Sequence, residues 1–378
     1  MFACRKVLTV LMILLSLKSG VRTQCVQNGS KVSCERIKQI TPGFLSTIYE
    51  NVTSIEINNR NEISEVAART FKSIKNLERL TIRWSRIKKI YGETVRDLPN
   101  LKYLFLNYNG ITEIYTPAFL NLPKLQKVYL SYNNLTVVRK GIFRNVTQLE
   151  SIILSHNNIN HFEDESFQEV TNLKKLTLDH NKLETIFLHD ILSHPEKLET
   201  LWLHNNSLTF ITNYMLQKLT NLKILNIGFN QISVIESGSF QHTPNLNTLV
   251  LTHNKLKDID GDIFPRSGMD FLKNLYLDHN RLMYLTSKFF VRSSGLRKIT
   301  LMGNPWFCQC LKEIYSVLNE NGIEEKCQGP FSKGQRPVCV NGDVLDSCRH
   351  TYNAQLSAKF LKYMKDFPVY VHALDCHL

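Results

Sequence analysis

The chain has 378 residues, of which 43% are hydrophobic and 21% are charged. This composition excludes a disordered tail, a collagen and a membrane protein with many spans. The formal net charge is +13, but the cations are spread along the chain rather than clustered, so we expect no nucleic-acid partner.

Residues 1–23 have the layout of a secretory signal peptide. Arg5 and Lys6 precede an apolar run from Val7 to Leu17, and small or polar residues follow the run. The run is too short for a hydrocarbon core of ~30 Å, and no later stretch approaches the ~20 apolar residues of a spanning helix. We therefore expect a secreted, extracellular protein without membrane insertion.

The cysteines agree with export. Cys4 belongs to the leader, which leaves an even number in the mature chain: Cys25, Cys34, Cys308, Cys310, Cys327, Cys339, Cys348 and Cys376. They form two clusters around a cysteine-free middle, as expected for disulfide-closed ends in an oxidising compartment. Five Asn-x-Ser/Thr sequons predict N-glycosylation at Asn28, Asn51, Asn134, Asn145 and Asn205.

The pattern L-x-x-L-x-L-x-x-N-x-L recurs through the middle of the chain. The first clear copy runs from Leu101 to Ile111, the last is a partial copy from Leu296 to Asn304, and degenerate copies begin at Leu77 and Val52. Successive Asn positions lie 24 to 26 residues apart: Asn109, Asn133, Asn157, Asn181, Asn206, Asn230, Asn254, Asn280 and Asn304. A fixed period of this length is typical of a solenoid.

Each L-x-L alternation predicts a short strand with one apolar face, which becomes buried only when neighbouring repeats stack into a parallel sheet. The Asn side chain both donates and accepts hydrogen bonds, so we expect the Asn positions to form a buried ladder. A second column of large apolar residues lies ten residues after each Asn and predicts core on the return side: Phe119, Phe143, Phe167, Ile191, Leu216, Phe240, Phe264 and Phe290.

These residues resemble the leucine-rich-repeat family. The resemblance implies an α/β-type solenoid, a curved arc with a concave parallel β-sheet, a convex side rich in loops and 3-10 turns, and disulfide-bonded caps. The chain then divides into a signal peptide at 1–23, an N-terminal cysteine cap at 24–50, about ten repeats and a partial last copy at 51–304, a C-terminal cysteine cap at 305–350, and a tail at 351–378.

The segment from Gln24 to Cys34 resembles the family's N-terminal cap, which implies a Cys25–Cys34 disulfide. The segment from Asn304 to Ile314 resembles the C-terminal cap, in which Trp306 closes the core and a helix follows.

Family C-terminal caps pair four cysteines first to third and second to fourth, whereas six cysteines follow residue 300 here. The pairs Cys308–Cys327 and Cys310–Cys348 are one arrangement consistent with that order, which leaves Cys339 and Cys376. Fifteen connectivities are possible, and the sequence does not choose among them.

The tail carries apolar residues at helical spacing: Leu356, Phe360, Met364 and Phe367. We expect this helix to fold back on the cap; the alternative is a partner-binding helix or an oligomer linked by an interchain disulfide through Cys376. No cofactor or metal is expected, since the only compact ligand-like cluster lies at the tail, where Cys376 has disulfide alternatives.

Side chains at the variable positions of each strand point out of the concave face. Aromatic rings recur there, and they form the candidate partner-binding residues: Trp84, Phe105, Tyr108, Tyr129, Tyr132, Trp202, Phe229 and Tyr276. Basic residues interrupted by glutamates flank the strands and suit either an acidic partner or a solvated rim: Arg79, Lys102, Lys127, Lys174, Lys175, Lys223, Lys273, Arg297 and Lys298.

The sequence contains none of the common catalytic motifs, so we expect no enzyme. The primary hypothesis is a secreted recognition protein that binds an extracellular protein or glycan through the concave face. The cap and the following Arg336-Pro-Val-Cys339-Val are similar to secreted insect members of the family, which implies a role in innate immunity. The alternatives are an organiser of the matrix or of cell adhesion, and an inhibitor that wraps an extracellular enzyme.

Overall fold

The structure is a computed structural model that describes residues 24–40, 51–58, 62–326, 339–341 and 347–365. The predicted signal peptide lies outside the described residues. The chain forms two compact units, with the boundary between Asn172 and Leu173. Among the described residues, no helix is both long enough and apolar enough to cross a membrane.

The first unit consists of short strands. In chain order they are β1 (Gln24–Asn28), β2 (Lys31–Glu35), β3 (Ser54–Ile57), β4 (Arg79–Ile82), β5 (Lys89–Ile90), β6 (Val95–Arg96), β7 (Tyr103–Phe105), β8 (Glu113–Ile114), β9 (Phe119–Leu120), β10 (Lys127–Tyr129), β11 (Val137–Val138), β12 (Phe143–Arg144), β13 (Ser151–Ile153) and β14 (His161–Phe162). Strands β2, β3, β4, β7, β10 and β13 form a parallel sheet in that order, and β1 pairs antiparallel with β2 at its edge.

The second unit continues the pattern with β15 (Lys175–Thr177), β16 (Thr200–Trp202), β17 (Phe210–Ile211), β18 (Ile224–Asn226), β19 (Val234–Ile235), β20 (Thr248–Val250), β21 (Asn274–Tyr276), β22 (Lys298–Thr300) and β23 (Glu324–Glu325). Its helices are α1 (Leu188–Ile191), α2 (Ser287–Arg292), α3 (Cys308–Glu320) and α4 (Ala354–Lys365), with 3-10 turns at Pro195–Lys197 and Gly261–Ile263. Strands β15, β16, β18, β20, β21, β22 and β23 form its parallel sheet.

The register of these sheets follows the repeat. Leu80 pairs with Leu104, and Leu104 pairs with Val128, so each inward-facing apolar residue lies beside its counterpart in the next turn. All three are fully buried. The predicted parallel-sheet solenoid is therefore confirmed, and the return side carries short paired strands in addition to turns, such as β5 with β8 and β6 with β9.

The second apolar column lies in the core with one exception. Phe119, Phe143 and Phe167 are buried, as predicted. At the eighth position the prediction was wrong, because Phe289 is fully buried while Phe290 is only half-buried. Both phenylalanines lie in α2, where a helical turn replaces the extended return segment and directs the preceding side chain inward.

The predicted Asn ladder is present within each unit. Asn133 donates through Nδ2 to the carbonyls of Leu106 and Leu130, at 3.0 and 2.9 Å, and its Oδ1 accepts from the backbone N–H of Ile111 at 3.1 Å. Asn254 repeats this arrangement in the second unit with Ile227 among its acceptors. Each buried amide thus satisfies backbone groups that the turn leaves without strand partners.

Disulfides lie near both ends. Cys25–Cys34, implied by the family resemblance, is present across the β1–β2 pair. At the other end Trp306 is fully buried and its indole N–H donates to the carbonyl of Leu301 at 2.8 Å, as expected for a residue that closes the core. The helix predicted after Trp306 is α3.

The pairing of Cys308 differs from the arrangement considered from sequence. Cys308 is bonded to Cys339, while Cys310 is bonded to Cys348 as in that arrangement. The cause is a backbone bridge between Phe307 and Val340, which brings Cys339 to a Cα–Cα distance of 4.9 Å from Cys308. Cys327 and Cys376 lie outside the described residues, as does the proposed interchain disulfide.

The tail helix α4 packs against the C-terminal cap. Phe360 is buried, and Leu356 packs with Tyr352 against a cluster that contains Met283 and Tyr284. This supports the expectation that the helix folds back on the cap. Phe367, the last apolar residue of the predicted stripe, lies outside the described residues.

Candidate partner-binding face

The face opposite the core is set by strand alternation. In β7, Leu104 points into the core while Tyr103 and Phe105 remain half-buried on the other side. The same alternation holds in β10 for Lys127 and Tyr129 around Val128. We call this side of each parallel sheet, together with the outward-facing residues that follow each strand up to the residue before the ladder position, the open face.

An unusual backbone conformation ends each strand. The residue before each ladder position from Asn109 to Asn280, and the residue before Ser85 at the matching position of the upstream repeat, has a φ between 52° and 58°: Trp84, Tyr108, Tyr132, His156, His180, Asn205, Phe229, His253 and His279. This left-handed conformation costs ~1–2 kcal/mol for a residue other than glycine. The N–H groups released by the turn are used, since Trp84 N–H donates to the Tyr108 carbonyl at 2.8 Å and Tyr108 N–H to the Ser131 carbonyl at 3.1 Å.

The shared conformation places four rings of the first unit in one stack, which we call the ring strip: Trp84, Tyr108, Tyr132 and His156. Successive ring centroids lie 4.1, 4.3 and 4.1 Å apart, and the planes differ by 14° or less. Stacking contributes ~0.5–1.5 kcal/mol per pair, which offsets part of the backbone strain. Trp84 remains 54% exposed and Tyr132 42%.

A second ring pair lies beside the ring strip. Phe105 and Tyr129 stack with centroids 4.4 Å apart, on neighbouring strands. The guanidinium of Arg79 lies 5.0 Å and that of Arg83 5.7 Å from the centre of the Phe105 ring. Aromatic and cationic side chains therefore meet at one end of this open face.

The second unit has a shorter stack. Phe229, His253 and His279 follow one another at centroid distances of 4.3 and 4.2 Å. The next position of the column is Gly303, where φ is +75° and an added Cβ would lie 2.5 Å from Nδ1 of His279. Glycine at this position leaves room for the last ring of the stack.

The eight predicted partner-binding residues are divided between the two units. Trp84, Tyr108 and Tyr132 lie in the ring strip, and Phe105 and Tyr129 form the pair beside it. In the second unit Trp202 is half-buried, with Lys175 4.8 Å from its ring, and Phe229 starts the shorter stack. Tyr276 corrects the prediction, because only 7% of it is exposed on β21, where it pairs with Val250 and Thr300 of the adjacent strands.

The strand flank carries mixed charge rather than a basic patch. Lys102 forms an ion pair with Glu78 at 3.0 Å, and Lys223 forms one with Glu199 at 2.8 Å. Exposed pairs of this kind contribute ~0–1 kcal/mol. These ion pairs neutralise Lys102 and Lys223, two of the basic residues that the sequence analysis considered as contacts for an acidic partner.

Sequence analysis missed three groups of potential metal ligands among the described residues, and one of these groups includes two rings of the shorter stack. His253, Asp278 and His279 offer ligand atoms within 4.8 Å of one another in the second unit. However, the two imidazole rings are nearly parallel, so their lone pairs run side by side, and Oδ1 of Asp278 accepts from the hydroxyls of Thr252 and Thr300. One oxygen of the Asp278 carboxylate is therefore already used in hydrogen bonds within the protein.

The sequons differ in accessibility. The side chains of Asn28, Asn51, Asn134 and Asn145 are exposed, which an attached glycan requires. Asn205 is half-buried and lies in the left-handed column of the second unit, on the open face. A glycan at Asn205 would therefore occupy part of that face.

Comparison with known families decides the class of the chain. A family model for the leucine-rich repeat matches residues 50–111, 75–135, 123–183, 196–256 and 244–305, which together make up more than half of the chain. The chain belongs to the leucine-rich-repeat family. Three comparisons illustrate its similarities.

Mouse chondroadherin is 35% identical over 108 residues, which is 28% of this chain and 28% of that protein. A chain in the crystal structure of the LRIM1/APL1C complex matches 78% of this chain, and 51% of that chain is covered, with a TM-score of 0.62 and 24% identity. An octameric complex of latrophilin 3, Unc5D and FLRT2 contains a chain that matches 82% of this chain and is itself covered to 94%, with a TM-score of 0.55 and 20% identity. At these identities the two structures show a shared fold.

Proposed function

We propose that this protein is an extracellular, non-enzymatic recognition protein that binds a protein partner through the open face of its first unit. The ring strip is the observation that carries the proposal. Rigid, partly exposed aromatic rings supply contact area at little entropic cost, and they recur at the centres of protein interfaces. In the first unit, Trp84 and Tyr132 keep about half of their surface exposed.

Three observations support the extracellular location. The leader has the layout of a signal peptide, three disulfides are formed among the described cysteines, and four sequon asparagines are exposed. Two of the similar solved structures are protein complexes, which agrees with a role in recognition. A function in innate immunity is the more specific part of the proposal, and it rests on the resemblance of the C-terminal cap to secreted insect members of the family.

An extracellular interaction screen tests the proposal. Wild-type protein is compared with a triple variant, Trp84→Ala/Tyr108→Ala/Tyr132→Ala, against panels of secreted proteins, microbial surfaces and fibrillar collagen. A matched control removes exposed apolar side chains elsewhere, with Phe271→Ala/Val291→Ala. We expect the control to keep the partner and the triple variant to lose it.

The screen also separates the alternatives. Retention of the partner by the triple variant would reject the ring strip as the binding site. Selective capture of collagen would favour a matrix organiser, and capture of a single hydrolase would favour an inhibitor.

A further inference from the structure

The end of the open face near the N-terminus holds two arginines that are fixed by aromatic rings. The Arg79 guanidinium lies 5.1 Å from the centre of the Tyr103 ring and 5.0 Å from that of Phe105. Arg83 lies two outward positions further along the same segment, beyond Thr81, and its guanidinium also approaches the Phe105 ring. Within the described part of the chain neither arginine forms an ion pair with a carboxylate. Their orientation is therefore set by ring contacts, and their N–H donors remain for another group.

Arg83 also lies between two asparagine side chains, and each of the three side chains has a polar atom without a hydrogen-bond partner among the described residues. The register of β3, β4 and β7 places Asn58, Arg83 and Asn107 side by side on the open face. Asn58 Oδ1, Arg83 Nε and Asn107 Oδ1 are each buried and lack a hydrogen-bond partner among the described residues. Asn107 is only 8% exposed. Buried polar atoms are nearly always paired in folded proteins, so three adjacent exceptions indicate a group that binds there. The Arg83 Nε–H requires an acceptor such as a carboxylate, whereas the two amide oxygens require donors such as the backbone N–H groups of a polypeptide.

The charge at this position suits one anionic group rather than a polyanion. Lys31 is paired with Glu56 at 2.8 Å, and Lys102 is paired with Glu78 at 3.0 Å, so the lysines nearest the arginines are neutralised. The next cation of the face, Lys127, lies two strands from Arg79, which is ~10 Å. A sulfated glycan would require a continuous row of cations, which this arrangement does not provide.

The neighbouring rings favour a protein rather than a sugar as the source of the anion. Sugars stack on the faces of aromatic rings, but the faces in the ring strip cover one another at 4.1 to 4.3 Å. Stacked in this way, the strip presents mainly ring edges, a surface that suits apolar and amide groups of a polypeptide.

We propose that Arg83 and Arg79 form a binding site for a carboxylate, and that the protein partner inserts an Asp or Glu side chain there while neighbouring residues contact the ring strip. The guanidinium of Arg83 presents paired N–H donors that match the two oxygens of a carboxylate, and the phenyl ring of Phe105 limits competition from water. The choice of partner rests on the proposed function; the carboxylate site itself does not.

A peptide titration tests the site without the partner. The arginine Nε–Hε signals of the full chain are followed by NMR while the blocked peptide acetyl-Gly-Glu-Gly-amide is added, with acetyl-Gly-Gln-Gly-amide as the uncharged comparison. We expect a saturable shift of the Arg79 and Arg83 signals with a dissociation constant on the order of millimolar, as for two charge-assisted hydrogen bonds. Arg83→Gln should weaken binding of the Glu peptide about tenfold or more.

Matched variants separate a binding role from a structural one. Arg139→Gln removes another arginine that lies over a ring, 5.6 Å from Tyr115 on the return side, and it should bind the Glu peptide as the wild type does. Arg83→Lys keeps the charge but loses the paired donors, so its affinity should fall between wild type and Arg83→Gln.

Three results would overturn the proposal: equal shifts with the Glu and Gln peptides, no loss of affinity in Arg83→Gln, or tighter binding of a sulfated heparin disaccharide than of the Glu peptide at the same signals. Failure of this site is distinguishable from failure of the proposed function. If the Trp84/Tyr108/Tyr132 triple variant loses the captured partner while Arg83→Gln retains it, recognition by the ring strip stands and the carboxylate site is rejected.

Discussion

Removing one rung of the Asn ladder gives the most direct energetic test of the fold. In Asn157→Ala, the backbone N–H of Leu135 loses its acceptor Oδ1 at 3.0 Å, while the Leu130 carbonyl loses one donor at 3.0 Å but keeps the amide of Asn133 at 2.9 Å. One buried donor is therefore left without a partner, which costs ~1–3 kcal/mol, and each further lost hydrogen bond adds ~0.5–1.5 kcal/mol. The Leu154 carbonyl also loses its donor Nδ2 at 2.9 Å, so with two further lost hydrogen bonds we expect a total loss of about 2–6 kcal/mol in the free energy of unfolding.

The matched control is the next residue. Asn158 is exposed, so Asn158→Ala should change the free energy of unfolding by no more than ~0.5 kcal/mol. Urea unfolding followed by circular dichroism, with the disulfides intact, measures both variants, and hydrogen exchange at the Leu135 amide localises the effect. Equal stability of the two variants, or an unchanged exchange rate at Leu135, would refute the ladder as a source of stability.

Two further predictions concern strain and pH. Gly303→Ala should lower the free energy of unfolding by more than Gly322→Ala. Both glycines have a positive φ, but only a Cβ at position 303 would clash with His279. Thermal unfolding compares the two variants, and equal losses of stability would contradict the clash. Hydrogen bonds from Arg69 and Arg96 lower the pKa of Glu93 below its usual 4.5, so its contribution to stability is present above pH 4.5 and is lost as the pH falls through the lowered value. Glu93→Gln should therefore lose less stability than wild type on acidification, and identical pH profiles would contradict that assignment.

The fold was predictable because its determinants repeat. Every turn places a leucine such as Leu104 and an amide such as Asn133 in the same environment, so nine copies of one pattern specify both the sheet and the ladder. The buried Trp306 was predictable for a related reason, since the solenoid needs an apolar residue where the stacking ends.

Features that depend on local breaks in the repeat were not predictable. Phe289 takes the core position expected for Phe290 because α2 forms a helical turn there. The pairing of Cys308 with Cys339 depends on a backbone bridge between Phe307 and Val340, which are far apart in sequence.

The backbone at the candidate site was also hidden from sequence analysis. Tryptophan and tyrosine rarely adopt a positive φ, so the residue types at Trp84 and Tyr108 gave no indication of the left-handed turn that stacks their rings. The unpaired polar atoms of Asn58, Arg83 and Asn107 were missed because their proximity depends on the register between strands. Periodicity showed that Arg79 lies near the sheet, but not that Arg83 and two amides lie side by side there.

Site-specific photo-crosslinking tests the central claim, recognition through the open face of the first unit, most directly. A benzoylphenylalanine in place of Trp84 is compared with one in place of Val291, an exposed residue of α2 on the return side of the second unit. We expect irradiation in the presence of the captured partner to give a crosslinked product from position 84 and none from position 291. A product from position 291 alone would contradict the account.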